Sequence, residues 1–351
     1  MKDKLPWIHN AKYDLSFFFL PSAISILIVL FLDFWNKLPK SDNNWNWLLL
    51  VVLVDVAHVW ATLFRTYLNK EALSRFKKYL VFYPLISFLF LSTLYLYSPF
   101  LFWRVMAYLA LFHFMRQQVG FLAIYLRNYS PQSFHRRIST IYIWLCMLVP
   151  VLDWHTRKRE FSWFIKGDFF FLDMNIVEFL WISFAILSIV YILFELINYK
   201  KSKLLANLHI LLTFLIWAGG ISYLNNDFAF SITNIIHHGF PYLALIWISS
   251  LYQTNYQTLF PKIKFNSQGS LFKRVLIFIM VIFLLAIIEE ILWDKFLWHE
   301  REGFLFFSDY VDIANPLLAF LVGFLATPQV THYLLDGVIW KRENKLEEFK
   351  F

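Results

Sequence analysis

Two adjacent histidines, His237 and His238, lie within an apolar run from Phe228 to Tyr252. A polar side chain in hydrocarbon needs a partner or a function, so imidazoles kept there mark a candidate site. Three other apolar runs carry similar intrusions: Asp55 with His58, His113 with Arg116 and Gln117, and His332 with Asp336. Asp55, His58, Thr62 and Arg65 follow at steps of three, four and three, which predicts one helix face. There the carboxylate can share an ion with the imidazole or hold it in orientation. His332 and Asp336, four apart, repeat that chemistry at another spacing. His113, Arg116, Gln117 and Gly120 are expected to share a face, with Arg116 neutralising a carboxylate or holding an anionic head group. Neighbours on a regular helix point about 100° apart, so His237 and His238 need a kink to reach one cavity. Gly239 and Pro241 would allow it, since proline removes a backbone bond.

Imidazole with carboxylate suits zinc, non-haem iron or copper, and the absence of a thiolate set argues against an iron–sulfur cluster. The metal-ligand set predicted is Asp55, His58, His113, His237, His238, His332 and Asp336, with Arg116, Gln117 and Arg65 as catalytic or charge-neutralising groups. Zinc prefers few ligands and one open position. Five histidines and two carboxylates over-supply it, so iron fits the count better than zinc. The competing reading of each Asp–His pair is a hydrogen-bonded tie between helices. Asn234 adds a polar group one turn before the histidine pair. His209 is expected at a membrane boundary, and His9, His135, His155 and His299 in solvated loops. No zinc-protease, P-loop or dinucleotide-binding motif occurs.

These residues need membrane helices to position them. The chain of 351 residues is 59% hydrophobic and 16% charged, with 41 Phe, 15 Trp and a mean hydropathy of +0.55. A span takes about 20 mostly apolar residues. The sequence predicts an all-α, polytopic bundle of about ten spans in a single domain, 1–351. They begin near Tyr13, Trp45, Tyr79, Phe102, Ile138, Phe170, Leu204, Phe228, Val275 and Ile313, and the fifth, Ile138 to Leu152, is short. The lone Cys146 excludes an internal disulfide. No repeat, linker or soluble domain divides the chain.

Loop charge sets the orientation. Arg65, Lys70, Arg75, Lys77 and Lys78, then Arg127, Arg136 and Arg137, then Lys200, Lys201 and Lys203 fall on one side. Lys262, Lys264, Lys273 and Arg274, and a tail with Lys341, Arg342, Lys345 and Lys350, join them. Lys37, Lys40, Lys295 and Arg301 fall opposite, with a basic cluster at Arg157, Lys158, Arg159 and Lys166 that breaks the trend. The positive-inside rule makes the first side cytoplasmic, with both termini inside. A bacterial inner membrane is the expected location. The net charge of +8 is read as this signal and not as a nucleic-acid surface.

His113-Phe-Met-Arg116-Gln117-Gln118, the pair His237-His238 and His332-Tyr-Leu-Leu-Asp336 resemble the histidine-rich integral-membrane oxygenases: desaturases, hydroxylases and the bacterial carotene-cleaving type. The HxxxH and HxxHH boxes of that group are absent, and Gln117 stands where a second histidine would be expected. The resemblance implies metal-dependent oxidation of a lipidic or hydrophobic substrate reached from the bilayer, with an electron-donor protein as partner. The other function class is a proton- or ion-coupled transporter using the same His, Asp and Arg residues as a relay. The loop charges yield one direct test. Reporter fusions after Lys78 and after Asn225 should report opposite faces of the membrane, and a common face would undo the span order.

Overall fold

The computed structural model describes residues 5–39, 43–157, 167–224, 226–252, 268–305 and 311–341. Among these it is 81% helical and has no strand. Ten long helical stretches follow one another: α1 (Ala11–Phe34), α2 (Asn44–Arg65), α3 (Lys77–Tyr97), α4 (Pro99–Tyr125), α5 (Phe134–Thr156), α6 (Val177–Ile197), α7 (Lys201–Tyr223), α8 (227–249), α9 (Leu271–Trp298) and α10 (Asn315–Ile339). Asparagine side chains begin three of them. Asn10 accepts a hydrogen bond from the Tyr13 amide and Asn43 from the Asn46 amide, each at 2.9 Å, and Asn226 accepts from the Ala229 amide at 3.0 Å. Such caps satisfy amides that a helix start leaves open.

Eight of these helices are long and apolar enough to cross a membrane, which marks an integral membrane protein. The expected ten are not all met by that measure. The two that fall short are α4 and α8, where arginine, glutamine, asparagine and histidine lower the mean hydropathy. The fifth helix is longer than expected, 23 residues from Phe134 to Thr156, because its polar ends are helical too. The sixth starts at Val177, and the expected stretch from Phe170 to Ile176 is non-helical. Of the basic residues used for orientation, Lys40, Lys158, Arg159, Lys166, Lys262, Lys264, Arg342, Lys345 and Lys350 lie outside the described residues.

The chain divides into two compact units, Met1–Asp42 with Met106–His238, and Asn43–Val105 with Gly239–Phe351; two of the three divisions fall inside α4 and α8. In the first unit, α1 packs on α4 through Phe18 against Phe121 and Phe19 against Tyr125. Arg127 fastens the segment before α1, donating to the carbonyls of Pro6 and Trp7 at 2.8 and 2.7 Å. Helices α5 and α6 meet through stacked Tyr142 and Tyr191, and the Tyr191 hydroxyl reaches Asn207 of α7 at 3.0 Å.

In the second unit α10 lies along α3. Its lower part joins Leu335, Val338 and Ile339 to Ala72, Phe76 and Leu80 in one apolar cluster. Higher up the backbones nearly touch. A Cβ placed on Gly323 would lie 2.1 Å from Ser92 Oγ and 2.7 Å from the Ser92 amide nitrogen. Small residues permit such approach where no hydrophobic force separates helix from lipid. Gly323→Val should therefore lower unfolding stability by about 1–3 kcal/mol, the usual cost of overpacking. Denaturant unfolding in mild detergent checks it, and wild-type stability would contradict the close contact.

Candidate metal centre

The second unit gathers most of the predicted second- and tenth-helix residues. His58, Thr62 and Arg65 are buried and Asp55 is partly buried on α2, with His332 buried on α10. Before His58 the helix widens into a π-helical stretch, Trp47–Val56, a form frequent at functional positions. Gly239 makes room for that stretch, since a Cβ there would sit 3.0 Å from the Val54 carbonyl oxygen. Asp55 Oδ1 lies 3.5 Å from His58 Nδ1. The rings of His58 and His332 are 4.9 Å apart at 80° to one another.

One hydrogen-bond chain fixes His332. Tyr242 donates its proton to Asp336 Oδ1 at 2.7 Å, so its oxygen accepts from Thr62 Oγ1 at 3.0 Å. Thr62, having spent its single proton, accepts from His332 Nδ1 at 2.8 Å. The chain places the proton on Nδ1 and the lone pair on Nε2. Trp340 Nε1 also donates to Asp336 Oδ1, at 3.2 Å. Arg65 donates to the Ser249 carbonyl at 2.8 Å and stands over the Trp340 ring at 5.2 Å. Its charge is occupied in tying α2 to the end of α8.

The site can be tested for fit to a cation. Two imidazoles bound to one ion at about 2.0–2.1 Å have ring centres about 5 Å apart, which the His58–His332 separation matches. Asp55 Oδ1 is buried and takes part in no hydrogen bond among the described residues. A buried carboxylate oxygen in that state calls for a proton or a cation. His58 and His332 are therefore the residues of this unit that would share an ion, with Asp55 beside His58 and Asp336 acting through Tyr242 and Thr62 to orient His332.

The first unit holds His113, Gln117, His237 and His238, all buried. The rings of His113 and His238 are 5.0 Å apart at 82°, and Phe114 stacks on His238 at 3.8 Å. His237 differs. Thr213 donates to the His209 carbonyl and accepts from His237 Nε2 at 3.1 Å, so His237 Nδ1 accepts from Ser22 Oγ at 2.9 Å. Both nitrogens of His237 are engaged by hydroxyls, and the ring ties α1, α7 and α8 together. Pro241 lacks the amide that would meet the His237 carbonyl. Gln118 Nε2 donates to that oxygen at 3.4 Å, and Gln117 Nε2 to the His238 carbonyl at 2.6 Å.

Four expectations need correction. Arg116 does not share the buried face of His113, Gln117 and Gln118; it is exposed, because at about 100° per residue that face is centred away from it. His209 is not interfacial but buried, with Nε2 3.0 Å from the Gln118 carbonyl and its ring 5.6 Å from His237. His155 is not in a loop: it is buried on α5, where Nδ1 meets the Val151 carbonyl and Nε2 the Tyr108 hydroxyl, both at 2.7 Å. His135 is also on α5. Tyr242 carries the central hydroxyl, and the sequence signals it only by its place four residues after His238. Asn234 bonds within its own helix, to the Phe230 carbonyl at 3.3 Å.

Comparison of the chain with protein-family models, with curated proteins and with solved structures finds no match. The hydrogen-bond chain gives a stability prediction. Tyr242→Phe removes the hydroxyl between Thr62 and Asp336 and should cost about 1–3 kcal/mol, the range for leaving buried polar partners unmet. Unfolding of the purified variant measures it, and an unchanged midpoint would contradict the chain.

Proposed function

We propose that this chain is a metal-dependent membrane oxidoreductase acting on a lipidic or hydrophobic substrate. The observation that carries the reading is the pair His58 and His332, 4.9 Å apart, with Asp55 beside the first. Two imidazoles with a carboxylate nearby suit non-haem iron and catalytic zinc alike, and the oxidative reading takes iron. When bound, the ion would supply the redox chemistry. The chain's own part is to present His332 Nε2, to hold that ring through Thr62, Tyr242 and Asp336, and to keep water away with an apolar helix surround. An electron-donor protein would complete the reaction. On this reading α4 and α8 also span the bilayer, giving ten spans, both termini are cytoplasmic, and the location is a bacterial inner membrane.

A second reading rests on the same hydrogen-bond chain. His332, Thr62, Tyr242 and Asp336 form an unbroken line of exchangeable protons, which is also what a proton-coupled carrier requires. Metal content separates the two. Protein expressed with iron and zinc supplements and purified in mild detergent should carry iron, and His58→Ala and His332→Ala should lose it. Asp336→Asn, which keeps shape and removes charge, should weaken binding about 10–100-fold. A wild-type metal content near zero would overturn the oxidoreductase and leave the carrier.

A further inference from the structure

Arg116 lies nine residues before the end of α4 at Tyr125, about 14 Å along a helix that rises 1.5 Å per residue. On the ten-span reading that depth is inside the bilayer, so the rule for loop charges does not account for it. The residue is exposed, and among the described residues its guanidinium makes no hydrogen bond or ion pair. An arginine in hydrocarbon is costly and calls for a partner. Its own surroundings offer none: α4 contains no carboxylate, and α5 contains only Asp153 near its far end.

A second arginine stands near the first. Phe112, Arg116 and Gly120 follow at steps of four along one row of α4. Trp144, Ile141 and Arg137 follow at steps of three and four along one row of α5. Phe112 stacks on Trp144 at 6.4 Å and 27°, which sets the two rows side by side. The helices run antiparallel, since Tyr108 meets His155 further up. Both arginines therefore fall on one side of the ring pair, toward the end where α4 finishes and α5 begins. Arg137 is also exposed, and its guanidinium likewise has no partner among the described residues. Gly120, one turn beyond Arg116, leaves that end of the groove open, because an added Cβ would meet nothing within 4 Å.

We infer that this groove holds an anionic phospholipid, with its phosphate between Arg116 and Arg137 and an acyl chain along Phe112, Ile141 and Trp144. A phosphodiester has two free oxygens, one for each guanidinium, and arginine suits such charge-assisted contacts. The two positive charges are uncompensated, so the site selects a net negative lipid over a zwitterionic one. A second copy of the chain is a poorer occupant. Among the described residues no exposed carboxylate lies away from the helix ends to meet Arg116. The inference rests on α4 crossing the bilayer, as in the ten-span reading, and is independent of the metal.

Titration of the full chain in mild detergent with dioleoyl phosphatidylglycerol, read by native mass spectrometry, tests it. Saturable retention is expected, with a midpoint about tenfold below that of dioleoyl phosphatidylcholine. Arg116→Gln and Arg137→Gln should each raise the phosphatidylglycerol midpoint about tenfold, the loss of one charge-assisted contact. Gly120→Leu keeps both charges, fills the open end and should also weaken binding. Arg104→Gln, an equal charge change near the other end of α4, should leave the midpoint unchanged. Equal midpoints for the two lipids on the unaltered chain overturn the proposal, and that arm needs no variant to fold. A loss with Arg104→Gln as large as with Arg116→Gln overturns the placement of the site. Oleate that displaces phosphatidylglycerol at equal concentration overturns the phosphate as the recognised group.

Discussion

An imidazole has two ring nitrogens with opposite needs, one donating and one accepting, and in an apolar interior neither can turn to water. Much of the polar architecture follows from that constraint. His237 is held between two hydroxyls, His155 between a carbonyl and a tyrosine, and His332 is held on one nitrogen by Thr62. Where both nitrogens are taken, the histidine is a tie between helices. Such ties contribute modestly, about 0.6 kcal/mol on average in membranes, but they fix which helix faces meet. The carbonyl freed by Pro241 obeys the same rule, and the amide side chain of Gln118 answers it.

The all-helical class and most of the spans are legible in the sequence because repeated runs of about 20 apolar residues match the thickness of a bilayer and exceed what a soluble core needs. The face of Asp55, His58, Thr62 and Arg65 is legible from its three-and-four spacing, as is the stacking of His332 over Asp336. Arg116 is not, since three residues from His113 can be on either flank of a buried face, and only packing decides which. His209 escapes a sequence reading because distance from a run's end says little about burial when a helix begins earlier than its apolar run. The helical state of His155 is hidden for the same reason, α5 continuing past its last apolar residues.

Partner choice is less legible than position. Nothing in one-dimensional spacing pairs Ser22 with His237, 215 residues away, or Thr62 with His332, 270 away. Hydroxyls are common and unspecific in sequence, so the residues that divide the histidines into ties and candidate ligands carry no motif. Tyr242 is the clearest example. It lies in the same polar stretch as the histidine pair, yet its contribution depends wholly on Asp336 of α10 being opposite.

The π-helical stretch Trp47–Val56 bears on what a motif can mean. Its amides bond one residue further back than those of an α-helix, so each residue in it advances through a smaller angle about the axis. Asp55 lies inside that stretch and His58 just beyond it. The direction from carboxylate to imidazole is therefore set by how the backbone is wound as well as by the two residues between them. A chain with the same Asp-x-x-His spelling in an evenly wound helix would aim its carboxylate elsewhere. Identical spelling would then encode a different coordination angle.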